Sequence, residues 1–338
     1  MRRWTIFVIA AVLIAFLFPF QSLPDAAAAS THQYSQAPHT GKRHAIASAK
    51  GHKHKLSRRA RALAAERCEG MPASYTGDFG VSTRAALVLD LDNGQVLYAQ
   101  DADTPIAPAS LTKILTLYLI NEHLRDGSLT LSTLVPVTEE ASHSGGSNMH
   151  LREGELVSVM ELIKGIAVAS ANDGCMAIAQ YLGHGDPAPF VAAMNRKARE
   201  LGMTNTHFEN PNGLPADGQV TTARDMAILA QAYLSRFPQM LAVHSMTEFI
   251  HNNHPSHNAN SLLGKVEGVD GLKTGFVCAS GFNIVATAKR NATRLVVVVL
   301  GARTQIIREN EATRLLDDGF KLVTAQNYPH PKPVAMVR

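Results

Sequence analysis

Cysteine is scarce in this chain. Cys68, Cys175 and Cys278 are the only three in 338 residues. That excludes a disulfide scaffold, and without a C-x-x-C pair there is no cysteine-built metal or redox motif. An odd count leaves at least one free thiol or an intermolecular bond. Charge is modest at 18%, against 46% apolar residues, which excludes a wholly disordered chain and allows a large core. No internal repeat is present. After residue 20 no apolar run reaches membrane-spanning length; the run Val296–Leu300 reads as a buried strand. Excess positive charge is also missing from the body. Residues 30–67 carry nine Lys/Arg against Glu66 alone, +8, and residues 1–29 carry +1. The whole chain is +4, so the remainder is −5. The basic character belongs to a tail, and an acidic body does not suit nucleic acid.

Arg2 and Arg3 precede the apolar run Trp4–Phe20, and Ala26–Ala29 follows. This order predicts a signal peptide over 1–29, cleaved after Ala29, with an uncleaved anchor as the other reading. Either places the body outside the cytoplasm, in the periplasm or cell-wall space. Residues 30–75 form a basic linker whose large apolar residues are too few to offset ordering entropy. Its charge suits a solvated spacer, or weak contact with anionic polymers or a membrane surface. The folded domain is expected over 76–325, followed by a short Pro-containing tail, 326–338.

Within that domain Ala85–Asp90, the turn Asp92-Asn93-Gly94 and Gln95–Gln100 predict a hairpin. Helical spacing recurs over Leu111–Leu124, Val159–Val168, Met176–Leu182, Phe190–Leu201 and Ala223–Tyr233, the last capped by Thr221 or Thr222. Strand signals return at Gly271–Phe276, Gly281–Ala288 and Arg294–Gly301, with Asn291-Ala292 as a turn. A helix over Arg308–Val323 closes the domain. The expectation is an α+β fold: a five-stranded antiparallel sheet with helices on it, plus an inserted, mostly helical subdomain. A site belongs in the cleft between the two parts.

Ser110 stands where a helical pattern begins, and Lys113 follows one turn later on the same face. A serine hydroxyl needs a base to become a nucleophile, and a lysine serves if burial or nearby positive charge lowers its pKa. A helix N-terminus also favours developing negative charge. Alone, such a pair describes an N-cap serine and a surface lysine equally well. Two further features weigh against that reading. Ser170-Ala171-Asn172 interrupts an apolar helical region, and Lys273-Thr274-Gly275 ends a strand signal. A strand-end lysine with a threonine suits a carboxylate, and the glycine admits close backbone approach.

S-x-x-K, S-x-N and K-T-G in this order form the set of penicillin-binding proteins and class A β-lactamases. From Thr83 to Val323 the chain resembles the D-alanyl-D-alanine carboxypeptidase family of low-molecular-mass penicillin-binding proteins. Pro108–Lys113, Ser170–Asp173, Leu201–Met203, Asn210–Leu214, Asp270–Phe276 and Gly301–Arg303 with Arg308-Glu309 carry the resemblance. The resemblance implies Ser110 as acylated nucleophile, Lys113 as its base, and Ser170 with Lys273 as the proton relay to the leaving amine. It implies Asn172 on the substrate amide, Thr274 and Arg308 on its terminal carboxylate, and the backbone N–H groups of Ser110 and Phe276 as oxyanion hole. It calls for no metal or other cofactor. The implied substrate is the D-Ala-D-Ala end of a peptidoglycan stem peptide, with β-lactams as covalent inhibitors.

Two departures bear on this. The short stretch after the last helix leaves no room for the C-terminal β domain and amphipathic helix of some members, and short members include endopeptidases that cut cross-links. Asn212 stands where some relatives carry histidine, and it is given no catalytic role. The other readings are a β-lactamase, for which Glu209 lies in the right part of the chain, and a non-catalytic penicillin- or peptidoglycan-binding protein. Cys175 and Cys278 each lie three residues past a motif; whether they pair, or stay as two buried thiols, is open. His251, His254 and His257 are spaced by three, but Pro255 breaks any helix and no neighbouring carboxylate completes a metal set.

Overall fold

A computed structural model describes residues 82–325. The expected signal, basic linker and C-terminal tail lie outside these residues. In chain order the elements begin with β1 (Ala85–Asp90), β2 (Val96–Gln100), a 3-10 turn (Ala109–Thr112) and α1 (Lys113–Asp126). Next come β3 (Leu134–Pro136), α2 (Glu139–Ser142), β4 (Leu156–Ser158), α3 (Val159–Lys164), a π-helical turn (Gly165–Ala169) and α4 (Asn172–Leu182). After these lie α5 (Ala188–Glu200), α6 (Ala223–Arg236), α7 (Leu241–His244), β5 (Glu248–His251) and β6 (His254–His257). The last four are β7 (Val269–Val277), β8 (Gly281–Arg290), β9 (Thr293–Ala302) and α8 (Gln305–Thr324).

In space the main sheet runs β2-β1-β9-β8-β7, antiparallel throughout, as the sequence leads one to expect. Its central strands are apolar on both faces because both faces are covered. Ala85, Leu87 and Leu89 of β1 join Val296, Val298 and Leu300 of β9 in the core shared with the helical part. The alternate residues Ala86, Val88, Leu295, Val297 and Val299 pack under α8 against Ala312, Leu315, Leu316 and Phe320. Period-2 alternation thus feeds two cores from one strand. From Lys113 to Asn121 every residue of α1 is buried, so this helix is the axis of the molecule rather than an amphipathic surface helix.

Local chemistry sets the boundaries. Thr222 accepts a hydrogen bond from Asp225 N to cap α6, and Thr304 accepts one from Ile307 N to cap α8. Gly127, at φ 81°, ends α1 in the left-handed conformation that favours glycine. The insertion expected to be mostly helical also carries two short hairpins, β3–β4 and β5–β6. The sequence hides them because β3 and β4 are three residues each and β6 reads His-Pro-Ser-His. Proline and polar residues are tolerated there because β6 pairs on one side only. No helix among the described residues is long and apolar enough to cross a membrane.

Candidate active site

Three separate elements deliver the site. The turn before α1 supplies Ser110, the break between the π-helical turn and α4 supplies Ser170 and Asn172, and β7 supplies Lys273 and Thr274. Both serines sit beside or in strained backbone. Ala109, just before Ser110, has φ 50°, and Ser170 itself has φ 57°. Non-glycine residues adopt such angles only where the surroundings impose them. Strand β7 passes the Ser110 turn so closely that a Cβ on Gly275 would stand 2.9 Å from Ser110 N. The glycine of K-T-G is therefore required by close approach. Phe276 follows it, exposed and against Phe282, with ring centroids 4.4 Å apart and the planes tilted by 37°.

Lys113 is wholly buried, and its Nζ reaches three oxygens. Ser110 Oγ lies at 2.9 Å and Asn172 Oδ1 at 2.7 Å, and the third is the backbone carbonyl of Asn212. Asn172 Nδ2 donates to Gly145 O at 2.8 Å, which fixes the amide so that its oxygen faces the lysine. A neutral amine has two N–H donors and one lone pair. With Asn172 and Asn212 taking the donors, the lone pair is left for the Ser110 hydroxyl proton. Burial pulls Lys113 down to about 8, against smaller opposing pulls from Cys175 and Asp173. Lys273 is also buried, with Nζ donating to Thr274 O at 2.8 Å. Burial holds it well below the ordinary lysine range, helped by the positive charges of Lys113 and Arg308. Repulsion between the two buried ammonium groups favours a neutral lysine in the pair.

Ser170, Asn172, Lys273 and Thr274 are buried, and Ser110 is half-buried. Arg308 opens α8, and its Nη2 pairs with Glu309 at 3.0 Å. Its Nε is buried without a hydrogen-bond partner among the described residues.

Several contributors escape sequence reasoning. Asn212 acts through its carbonyl, which any residue type supplies, so no side-chain pattern reveals it. Gly213, at φ 84°, lies where a Cβ would drive into the Ala109 carbonyl, so it lets the Asn212 segment sit against the Ser110 turn. The buried Asp173 carboxylate accepts N–H groups from Met149, Leu151 and Gly174, locking the Gly145–Leu151 loop to the S-x-N turn. Its signal is an acid in the first turn of a helix.

The thiols differ from both sequence readings. Cys175 is a free, buried thiol pushed up to about 12 by burial, whereas Cys278 is disulfide-bonded, so the two are neither paired with each other nor both free. Carboxylates do reach the histidine hairpin. Glu155 Oε1 lies 2.9 Å from His251 Nε2, and Glu161 Oε1 is 3.4 Å from Nδ1, both from distant segments. Among the described residues no group of three or more His, Cys, Asp or Glu is placed to hold a metal. Glu209 is partly exposed and faces His207 at 3.1 Å.

Residues 73–304 match the D-alanyl-D-alanine carboxypeptidase family. The chain is 41% identical over 248 residues to the D-alanyl-D-alanine carboxypeptidase DacC of Escherichia coli, covering 71% of this chain and 62% of that one. It therefore spans less than two thirds of that relative's length. Among solved structures, penicillin binding protein 5 from Haemophilus influenzae superposes with a TM-score of 0.69 at 34% identity, covering 74% of this chain and 72% of that one. Penicillin-Binding Protein D2 from Listeria monocytogenes, in its ampicillin-bound form, gives 0.63 at 30% identity, covering 72% and 99%. The chain belongs to the D-alanyl-D-alanine carboxypeptidase family.

Proposed function

We propose that this member of the family is a serine-type D-Ala-D-Ala carboxypeptidase, acting outside the cytoplasm on peptidoglycan stem peptides. The observation that carries the reading is the buried Lys113 Nζ, 2.9 Å from Ser110 Oγ, with its other two contacts on neutral oxygens. A lysine held this way has no carboxylate at hydrogen-bond distance to keep it charged, and its lone pair faces the hydroxyl.

Thr274 and Arg308 receive the terminal carboxylate. Neutral Lys113 takes the Ser110 proton as Oγ attacks the carbonyl of the penultimate D-Ala. The backbone N–H groups of Ser110 and Phe276 stabilise the oxyanion. Collapse breaks the amide bond, and the proton taken up by Lys113 passes through Ser170, assisted by Lys273, to the departing amine of D-Ala, which leaves Lys113 neutral again for the water step. Water then hydrolyses the ester on Ser110 and restores the hydroxyl. Asn172 orients Lys113 through Oδ1, and the second hydrogen of its Nδ2 is left to donate to the substrate amide carbonyl. β-Lactams enter the same sequence as carboxylate-bearing amides whose leaving group stays tethered.

Incubation with benzylpenicillin followed by intact mass measurement tests the site. One penicilloyl adduct, mapped to Ser110 and absent from Ser110→Ala, is the expected result. No adduct on the folded wild type, with the benzylpenicillin left unhydrolysed, would exclude Ser110 as the nucleophile.

A further inference from the structure

Strand β7 is the edge of the main sheet and pairs only with β8. Two carbonyls immediately before Lys273 also accept hydrogen bonds from side chains. Asn260 Nδ2 donates to Gly271 O at 3.0 Å, and His244 Nδ1 donates to Leu272 O at 3.1 Å. His244 is completely buried at the end of α7, and its Nε2 lies 3.0 Å from the hydroxyl of Tyr233, also completely buried, on α6. Donation from Nδ1 to a carbonyl fixes the tautomer, so Nε2 accepts from the Tyr233 hydroxyl. The two rings meet edge to face, 5.6 Å apart at 85°. The backbone of α7 is anchored in turn, since Asn258 Nδ2 donates to His244 O at 3.1 Å and Met246 O at 2.9 Å.

We propose that Tyr233 and His244 are positioning residues for catalysis, a relay from α6 to the Leu272 carbonyl that holds the K-T-G strand in register with Ser110. The inference rests on the reading of Lys273 and Thr274 given above. A purely space-filling role needs no polar atoms here, because two apolar rings would fill the same volume without buried hydrogen-bonding groups to satisfy. The relay ends on the peptide that enters Lys273, so its loss moves the lysine and the threonine together. Burial pulls His244 down to about 4, assisted by the charge of Lys273, so the imidazole stays neutral and the relay is intact throughout the range in which a wall enzyme works.

The test compares full-length wild type, Tyr233→Phe, His244→Phe and His244→Gln. The readout is the second-order rate constant for acylation by a fluorescent penicillin, taken well below each protein's melting temperature. Tyr233→Phe, which removes one oxygen, should slow acylation severalfold. His244→Phe should slow it by roughly a hundredfold, the scale of an ångström-sized misplacement of reacting groups. His244→Gln, whose amide can still donate to Leu272 O, should recover most of that loss. Wild-type acylation rates in Tyr233→Phe and His244→Phe, with only a lowered melting temperature, would overturn the proposal. If His244→Phe does not fold, an unchanged rate in Tyr233→Phe overturns it alone. A wild type that takes no penicillin at all would instead remove the reading of the site on which the relay rests.

Discussion

At the scale of single residues the account turns on one proton. Lys113 must be neutral to take it, and its pKa falls from 10.5 to about 8 on burial. The acylation rate should climb as pH rises through about 8 and level off above it, as a stopped-flow pH profile of penicillin uptake will show. Stability follows the same sign. Between about 8 and 10.5 the unfolded chain binds the proton that the folded chain has released, so this lysine's contribution to stability rises with pH in that window. Lys113→Arg keeps a charge at every pH and has no lone pair to offer. It should lose about 10² to 10⁴ in acylation rate, the share general base catalysis supplies. The residues proposed to carry this chemistry were legible in the sequence because the proposal needs Ser, Lys and Asn side chains there. The carbonyl of Asn212 was not, since every residue has one. The engagement of Asn172 with Gly145 was equally hidden, because it joins parts of the chain that only folding brings together.

At the scale of elements the site depends on close approaches that side chains would block. Gly213 sits at φ 84° with its missing Cβ aimed at the Ala109 carbonyl. Gly213→Ala should therefore cost at least about 1–2 kcal/mol from the left-handed backbone alone. The collision should also push the Asn212 carbonyl away from Lys113. Urea unfolding gives the first effect and a slower acylation rate the second; a variant with unchanged stability and rate would contradict the placement of this turn. The strands and long helices of the domain were readable from periodicity and caps, Thr222 included. The β5–β6 hairpin was not. His254, Pro255 and His257 carry little strand propensity, and β6 exists because β5 offers it an edge.

At the scale of the whole molecule two cores share one sheet, and the candidate active site lies where the helical part meets the sheet. Leu316 of α8 is fully buried beneath the opposite face. Leu316→Ala should lower stability by about 2–5 kcal/mol, as for other buried leucines. Acylation by the remaining folded enzyme should stay near wild type, since Leu316 packs under the face of the sheet opposite the core shared with the helical part. A rate that falls with stability held above the assay temperature would mean that the two cores are coupled through the sheet. The two-part layout was legible from the order of strands and helices. What was not legible was how tightly α1 is enclosed, because its burial arises from elements far along the chain.

The most direct measurement incubates the wild type, with Ser110→Ala beside it, with pentapeptide muropeptides and with cross-linked dimers, and reads the products by mass spectrometry. Loss of a single D-Ala from the pentapeptide, absent in the variant, is the predicted result. Conversion of dimers to monomers without trimming of the pentapeptide would contradict the carboxypeptidase assignment and make the protein an endopeptidase built on the same serine.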